Sequence, residues 1–272
     1  MRRVAIVALL LLSFAVPAVL SAEEAPHPIT VASFFKVLPG KGETVMGMLK
    51  KYDKPVLDKL MADRTITGWG VGMPWAHTNG SWNLVLWIDA ADWAGHGKVD
   101  QAFEAAEKAR SADENKKIEQ EFHAATAPDA HRDGVYRQVF AKMGKAPASP
   151  EGKGYLWLAH WTAKPGNEDD LTSFLSDIYP GVFDKLLADG VIGGYGMLVP
   201  LVHVAGAPTH LSWYWVDTLG GIDKVQAALR AAHAKRAPEQ QAALDARAEG
   251  IFEPGTHFDD LLEVPMSGVP KP

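Results

Sequence analysis

A shift of 126 residues lays the second half of this chain over the first, and no other feature restricts its fold as much. Pro39-Gly40 falls on Pro165-Gly166, Asp58-Lys59-Leu60 on Asp184-Lys185-Leu186, Ala62-Asp63 on Ala188-Asp189, Gly68 and Gly70 on Gly194 and Gly196, and His77 on His203. From Pro39 to Gly80, 15 of 42 positions are identical, where unrelated sequences of ordinary composition would share about three. The offset becomes 128 at Trp87/Trp215 and Asp89/Asp217. It then returns to 126 from Lys98-Val99/Lys224-Val225 through to His131/His257 and Asp133/Asp259. Compensating length changes of this kind belong in loops. Residues 144–153 have linker composition, so the expected repeats are 29–143 and 154–266.

Each repeat reads as β-α-β-β-α-β. Residues 31–37 and 155–162 are β-rich and end before Pro-Gly. Residues 42–62 and 167–188 carry apolar side chains at helical spacing, with Pro55 and Pro180 expected to kink or break them and Asn167 expected to cap the second. Strands follow at 65–74 and 191–200, then at 82–89 and 209–217. Ala-rich helices over 92–125 and 220–249 are expected to break near Ser111-Ala112 and at Pro238, and a last strand fits 134–141 and 257–264. This order is the split motif of ferredoxin-like folds, an α+β class with both helices on one face of an antiparallel sheet. The other sheet face is also apolar and needs cover, and the other repeat is the nearest cover available.

Composition narrows the functional classes. Twenty-seven Lys and Arg against 33 Asp and Glu, scattered through 272 residues, lack the clustered positive charge of a nucleic-acid protein. With no cysteine, thiol catalysis, thiolate zinc sites and iron–sulfur clusters are excluded. Residues 1–22, with Arg2-Arg3, an apolar run from Val4 to Leu20, and Ser21-Ala22 before Glu23-Glu24, read as a cleaved export signal. The expectation is a periplasmic or extracellular protein with no stable membrane anchor after cleavage.

The element order, the Pro39-Gly40 and Pro165-Gly166 openings to the first helices, and an aromatic third strand leading into Asp89-Ala90-Ala91-Asp92-Trp93 together resemble the dimeric α/β-barrel superfamily. The similar groups are the stress-responsive barrel, EthD-like, NIPSNAP-like and antibiotic-biosynthesis-monooxygenase proteins. The resemblance covers nearly the whole chain after the signal. It implies two ferredoxin-like repeats packed sheet to sheet as one intramolecular barrel, either a monomeric pseudo-dimer or a further homo-oligomer. It also implies small ligands in clefts between sheet and helices.

Site candidates come from the repeat and from aromatic content. His77, His203, His131 and His257 recur at matched positions and are candidates for catalysis, although the same pattern suits turn caps. No metal-ligand spacing occurs among them, so no metal site is expected. Trp69, Tyr195, Trp87, Trp215 and His160 are candidates for ligand contact; Phe34 is the counterpart of His160. The glycine stripes Gly68-Gly70-Gly72 and Gly194-Gly196 indicate close approach of either a packed helix or a ligand. Asp89 and Asp217 read as helix caps.

Three functional readings follow. The first is binding of a small apolar or aromatic ligand in the sheet–helix clefts. The second is a cofactor-independent oxygenase or isomerase using paired histidines, with haem binding through His96, His160 or His233 as a variant. The third is a structural or interaction module. No cofactor is identified by the sequence.

Overall fold

The computed structural model describes residues 27–76, 82–128, 130–144 and 152–268. The expected export signal, His77 and most of the linker lie outside these residues. The first repeat contains β1 (Ile29–Phe35), α1 (Gly42–Met48), a π-helical turn (Leu49–Asp53), α2 (Lys54–Ala62), β2 (Gly68–Pro74), β3 (Leu84–Ala90), α3 (Trp93–Lys108), α4 (Ala112–Ala125) and β4 (Arg132–Met143). The second contains β5 (Gly154–Trp161), α5 (Glu168–Ala188), β6 (Gly194–Pro200), β7 (His210–Val216), α6 (Leu219–Ala234), α7 (Pro238–Ile251) and β8 (Phe258–Gly268).

Local chemistry accounts for most boundaries. Gly40 and Gly166 take φ of +76° and +85° in the Pro-Gly turns, a backbone region that side-chain-bearing residues rarely adopt. Asp92 starts α3 by accepting the Gly95 N–H at 2.8 Å, and Ser111 starts α4 by accepting the Glu114 N–H at 3.2 Å, which is where the long helix was expected to break. Asn167 does precede α5, but its side chain caps nothing in that helix; its Nδ2 donates to the Gly250 carbonyl instead. The two helix prolines are placed differently. Pro55 sits in the first turn of α2, directly after the π-helical turn, and the helical backbone runs on through this junction. Pro180 lies inside α5, which continues through it without a break.

The strands form one closed antiparallel barrel in the order β1-β3-β2-β8-β5-β7-β6-β4. Each repeat contributes a sheet of four strands, and the two sheets are hydrogen-bonded edge to edge where β2 meets β8 and β4 meets β6. Closure removes every free strand edge and brings the inner faces of the two sheets together across a lumen. The period of two along each strand then divides the side chains. On β3, Val85, Trp87 and Asp89 face the lumen, while Leu84, Leu86 and Ile88 pack with Trp69 and Val71 under the helices. No helix among the described residues is long and apolar enough to cross a membrane.

The strand glycines face inward, so no packed helix explains them. A Cβ on Gly70 would lie 2.3 Å from the Trp87 ring, one on Gly196 would lie 2.8 Å from Trp213 Nε1, and one on Gly154 would lie 2.5 Å from the Trp215 ring. The glycines leave room for indoles from neighbouring strands to lie flat over the backbone inside the barrel.

Candidate functional site

The lumen holds a cavity of about 300 Å³, at the small end of ligand pockets. Phe34, Leu156, Leu158, Trp87, Trp213 and Trp215 form the apolar and aromatic part of its wall. One rim is formed where β1, β2, β5 and β6 begin, and there Met143 lines the cavity while 47% exposed. At the opposite end Arg132 lies over the Phe34 ring at 4.4 Å, and Trp82 packs edge-on against Phe34.

One polar cluster interrupts the apolar wall. Asp89 Oδ1 accepts from Thr30 Oγ1 at 2.5 Å and from Gln138 Nε2 at 3.0 Å, and Gln138 also donates to Thr30 Oγ1 at 3.1 Å. The second oxygen, Oδ2, lies over Gly68, 2.7 Å from where a Cβ would stand, and no donor among the described residues reaches it. Asp89 is surrounded by protein yet retains accessible surface, which it presents to the cavity it lines. Burial raises its pKa against the opposing hydrogen bonds of Thr30 and Gln138 and the field of His96. Asp89 is therefore not the helix cap expected from sequence, a role that Asp92 fills. Asp217, also expected to cap, accepts from Trp215 Nε1 at 3.3 Å, and Thr218 occupies the cap position of α6.

Among the described residues the cluster occurs once. At the 126-residue shift Thr30 corresponds to Leu156 and Gln138 to Val264, both apolar. The sequence repeats, but the polar end of the lumen does not.

The sequence candidates scatter. Trp87 and Trp215 line the lumen. Trp69 borders it, but its ring belongs to the sheet–helix core and its Nε1 is buried without a partner among the described residues. Tyr195 lies on the helix side, donating to Asp184 Oδ1 at 2.5 Å. His160 is on the lumen-facing side of β5 but beyond the cavity, paired with Asp260 at 3.0 Å and stacked on Phe258. His131 is exposed, stacked on Phe35 and 3.2 Å from Asp133. His257 matches it, stacked on Trp161 and 3.6 Å from Asp259. His203 is exposed in the β6–β7 connection. For haem, His96 lies against the Ile29 carbonyl, His160 is held by Asp260, and His233 is exposed on α6. No described histidine lines the cavity, so none of these three is placed to ligate a haem there. No group of three or more metal-ligating side chains occurs among the described residues.

A second cavity, of about 240 Å³, lies between the first sheet and the helices, with Phe35, Leu49, Tyr52, Asp53, Leu86 and Phe122 in its wall. Asp53 ends the π-helical turn, and burial raises its pKa to about 6 against the pull of Arg110. The folded state thus holds this proton more tightly than the unfolded chain does. Stability is full below the ordinary carboxylate pKa of 3.8 and declines as pH rises through about 6. Asp53→Asn is expected to stabilise the protein by about 2 kcal/mol above about pH 6 and to give little below the ordinary pKa of 3.8. Urea unfolding at the two pH values checks this; an equal effect at both would exclude an ionised, buried Asp53 as the cause. Sequence reasoning had no signal for Asp53, which reads as one more polar residue on a helix.

No family model matches the chain, and no curated protein matches it in sequence. Solved structures do match. A monooxygenase-like protein of Lactobacillus acidophilus superposes with a TM-score of 0.58 at 8% identity, over 90% of this chain and 97% of its own. A second, from Fusobacterium nucleatum, gives 0.59 at 10% identity over 89% and 94%. An anthrone oxidase-like protein gives 0.51 at 14% identity over 90% and 94%. At these identities the likeness is one of fold. The chain has the dimeric α/β-barrel fold, with both ferredoxin-like halves supplied by one polypeptide.

Proposed function

We propose that this protein binds one small, flat, largely apolar molecule inside the barrel lumen. The supporting observation is the indole-lined cavity with a single polar cluster at Asp89. Aromatic walls favour a planar ring system through stacking and edge contacts. The cluster supplies the fixed polar contact that sets orientation in such pockets. Because Leu156 and Val264 replace Thr30 and Gln138 in the other half, the lumen takes its ligand one way round and once per chain.

Equilibrium dialysis with 2-methylnaphthalene tests the reading. The expected result is one equivalent bound per chain, lost in Ala32→Trp and in Leu158→Trp, both of which place an indole in the cavity. Variants that retain a cooperative melting transition yet bind the probe as before would place binding elsewhere.

A second reading is catalytic. A carboxyl with a raised pKa in an apolar pocket is the arrangement used for proton transfer. It would suit an isomerase, which moves a proton on the bound molecule, or an oxygenase, which prepares that molecule for dioxygen. The names of the monooxygenase-like and anthrone oxidase-like structures agree with this class, and Asp89, not a histidine pair, would act.

A further inference from the structure

We infer that Asp89 serves the lumen as a neutral carboxylic acid whose Oδ2 donates a hydrogen bond to a carbonyl oxygen of the ligand, making aromatic ketones and quinones the favoured class. The inference rests on the lumen being the binding site. Its first support is the division of labour between the two carboxyl oxygens. Oδ1 already accepts two hydrogen bonds, from Thr30 and from Gln138, which engage both of its lone pairs. A proton on this carboxyl therefore belongs on Oδ2, the atom that lies over Gly68 and has no other partner among the described residues.

The second support is that no counter-charge among the described residues lies at the cluster. The partners from β1 and β4 are a neutral hydroxyl and a neutral amide, and Thr67 at the start of β2 is also neutral. Arg132 lies at the far end of the lumen over Phe34. His96 on α3 is the ionisable side chain whose field reaches Asp89, and a charge there would pull toward the carboxylate. Its own ring nitrogen is against the Ile29 carbonyl, 3.1 Å away. In an apolar cavity an unpaired carboxylate is costly, while a neutral acid that donates to a ligand acceptor leaves no polar atom unsatisfied. Gly68 contributes by leaving Oδ2 uncovered: with a Cβ 2.7 Å away, an alanine there would crowd the donor.

Two probes of the same ring size decide the matter. 2-Methyl-1,4-naphthoquinone carries acceptor oxygens and 2-methylnaphthalene carries none. Wild-type protein is expected to bind the quinone about tenfold more tightly, the effect of one well-made neutral hydrogen bond. Asp89→Leu is expected to abolish that preference while still binding the hydrocarbon. Asp89→Asn is expected to keep it, because an amide at this position accepts on Oδ1 and donates from Nδ2. In wild type the preference falls with rising pH as the acid ionises, and in Asp89→Asn it does not. Equal affinity for the two probes, a preference that survives in Asp89→Leu, or one that grows with pH overturns the donor role and leaves the lumen reading standing. Failure of either probe to bind at all overturns both.

Discussion

Trp69→Ala is expected to cost about 3–5 kcal/mol of folding stability, whereas Trp87→Ala should cost less than about 2 kcal/mol and act on the ligand instead. The two residues sit on neighbouring strands, and sequence marks both as ligand contacts. Their surroundings differ. Trp69 is 1% exposed in the layer between sheet and helices, among Val71, Leu84 and Leu60, with Lys54 Nζ 5.8 Å from its ring. Removing it leaves a void that helices on one side and strands on the other cannot close. Trp87 covers Gly70 on one side and faces the open cavity on the other, so part of its surface has no packing to lose. Urea unfolding of the two variants gives the comparison directly. Similar losses would mean that the lumen is packed as tightly as the helix layer and holds no binding space.

The second large effect is a loss of stability in acid caused by His210. This residue opens β7 and is 1% exposed, with its ring nitrogens 2.8 Å from Thr172 Oγ1 and 2.9 Å from Thr209 Oγ1. Burial lowers its pKa from 6.5 to about 4, against the opposing influence of Glu168 and Asp169. The unfolded chain therefore takes up this proton before the folded one does. Stability is complete above pH 6.5 and is lost as pH falls toward about 4. The loss should amount to roughly 2–3 kcal/mol. Asp53 and Asp89 have raised pKa values and work in the opposite sense, so the raw pH profile mixes the contributions. The difference between wild type and His210→Asn isolates the histidine: the variant is expected to be less stable at neutral pH, with the gap closing in acid. A gap independent of pH would show that His210 contributes packing alone.

His210 also shows where pattern reading fails. It belongs to no repeated histidine pair and matches no motif, so attention falls on His131/His257 and His77/His203, whose repetition looks purposeful. His131 and His257 do occupy equivalent places, each stacked on an aromatic ring of the first strand in its repeat and each beside an aspartate. Repetition there follows from two equivalent turns in a duplicated fold. It carries no information about a cavity.

The sequence by itself determined the duplication, the order of elements, the breaks at Ser111 and Pro238, and which residues alternate across each strand. All of these depend on neighbours within one helical turn or one strand, and on the repeat itself. Only the tertiary structure decided which alternating face closes on a lumen and what meets what inside it. Thr30, Asp89 and Gln138 are 59, 49 and 108 positions apart in their pairings, and each separately reads as an ordinary polar residue. Asp89 in particular fits a helix-cap position until Asp92, three residues on, takes that role. The first repeat's own sheet sets β3 and β4 on either side of β1, and barrel closure encloses these side chains at one end of the cavity. Periodicity fixes the face a side chain points to, while its hydrogen-bond partner depends on which strands become neighbours, and that is settled by edge pairing across the whole chain.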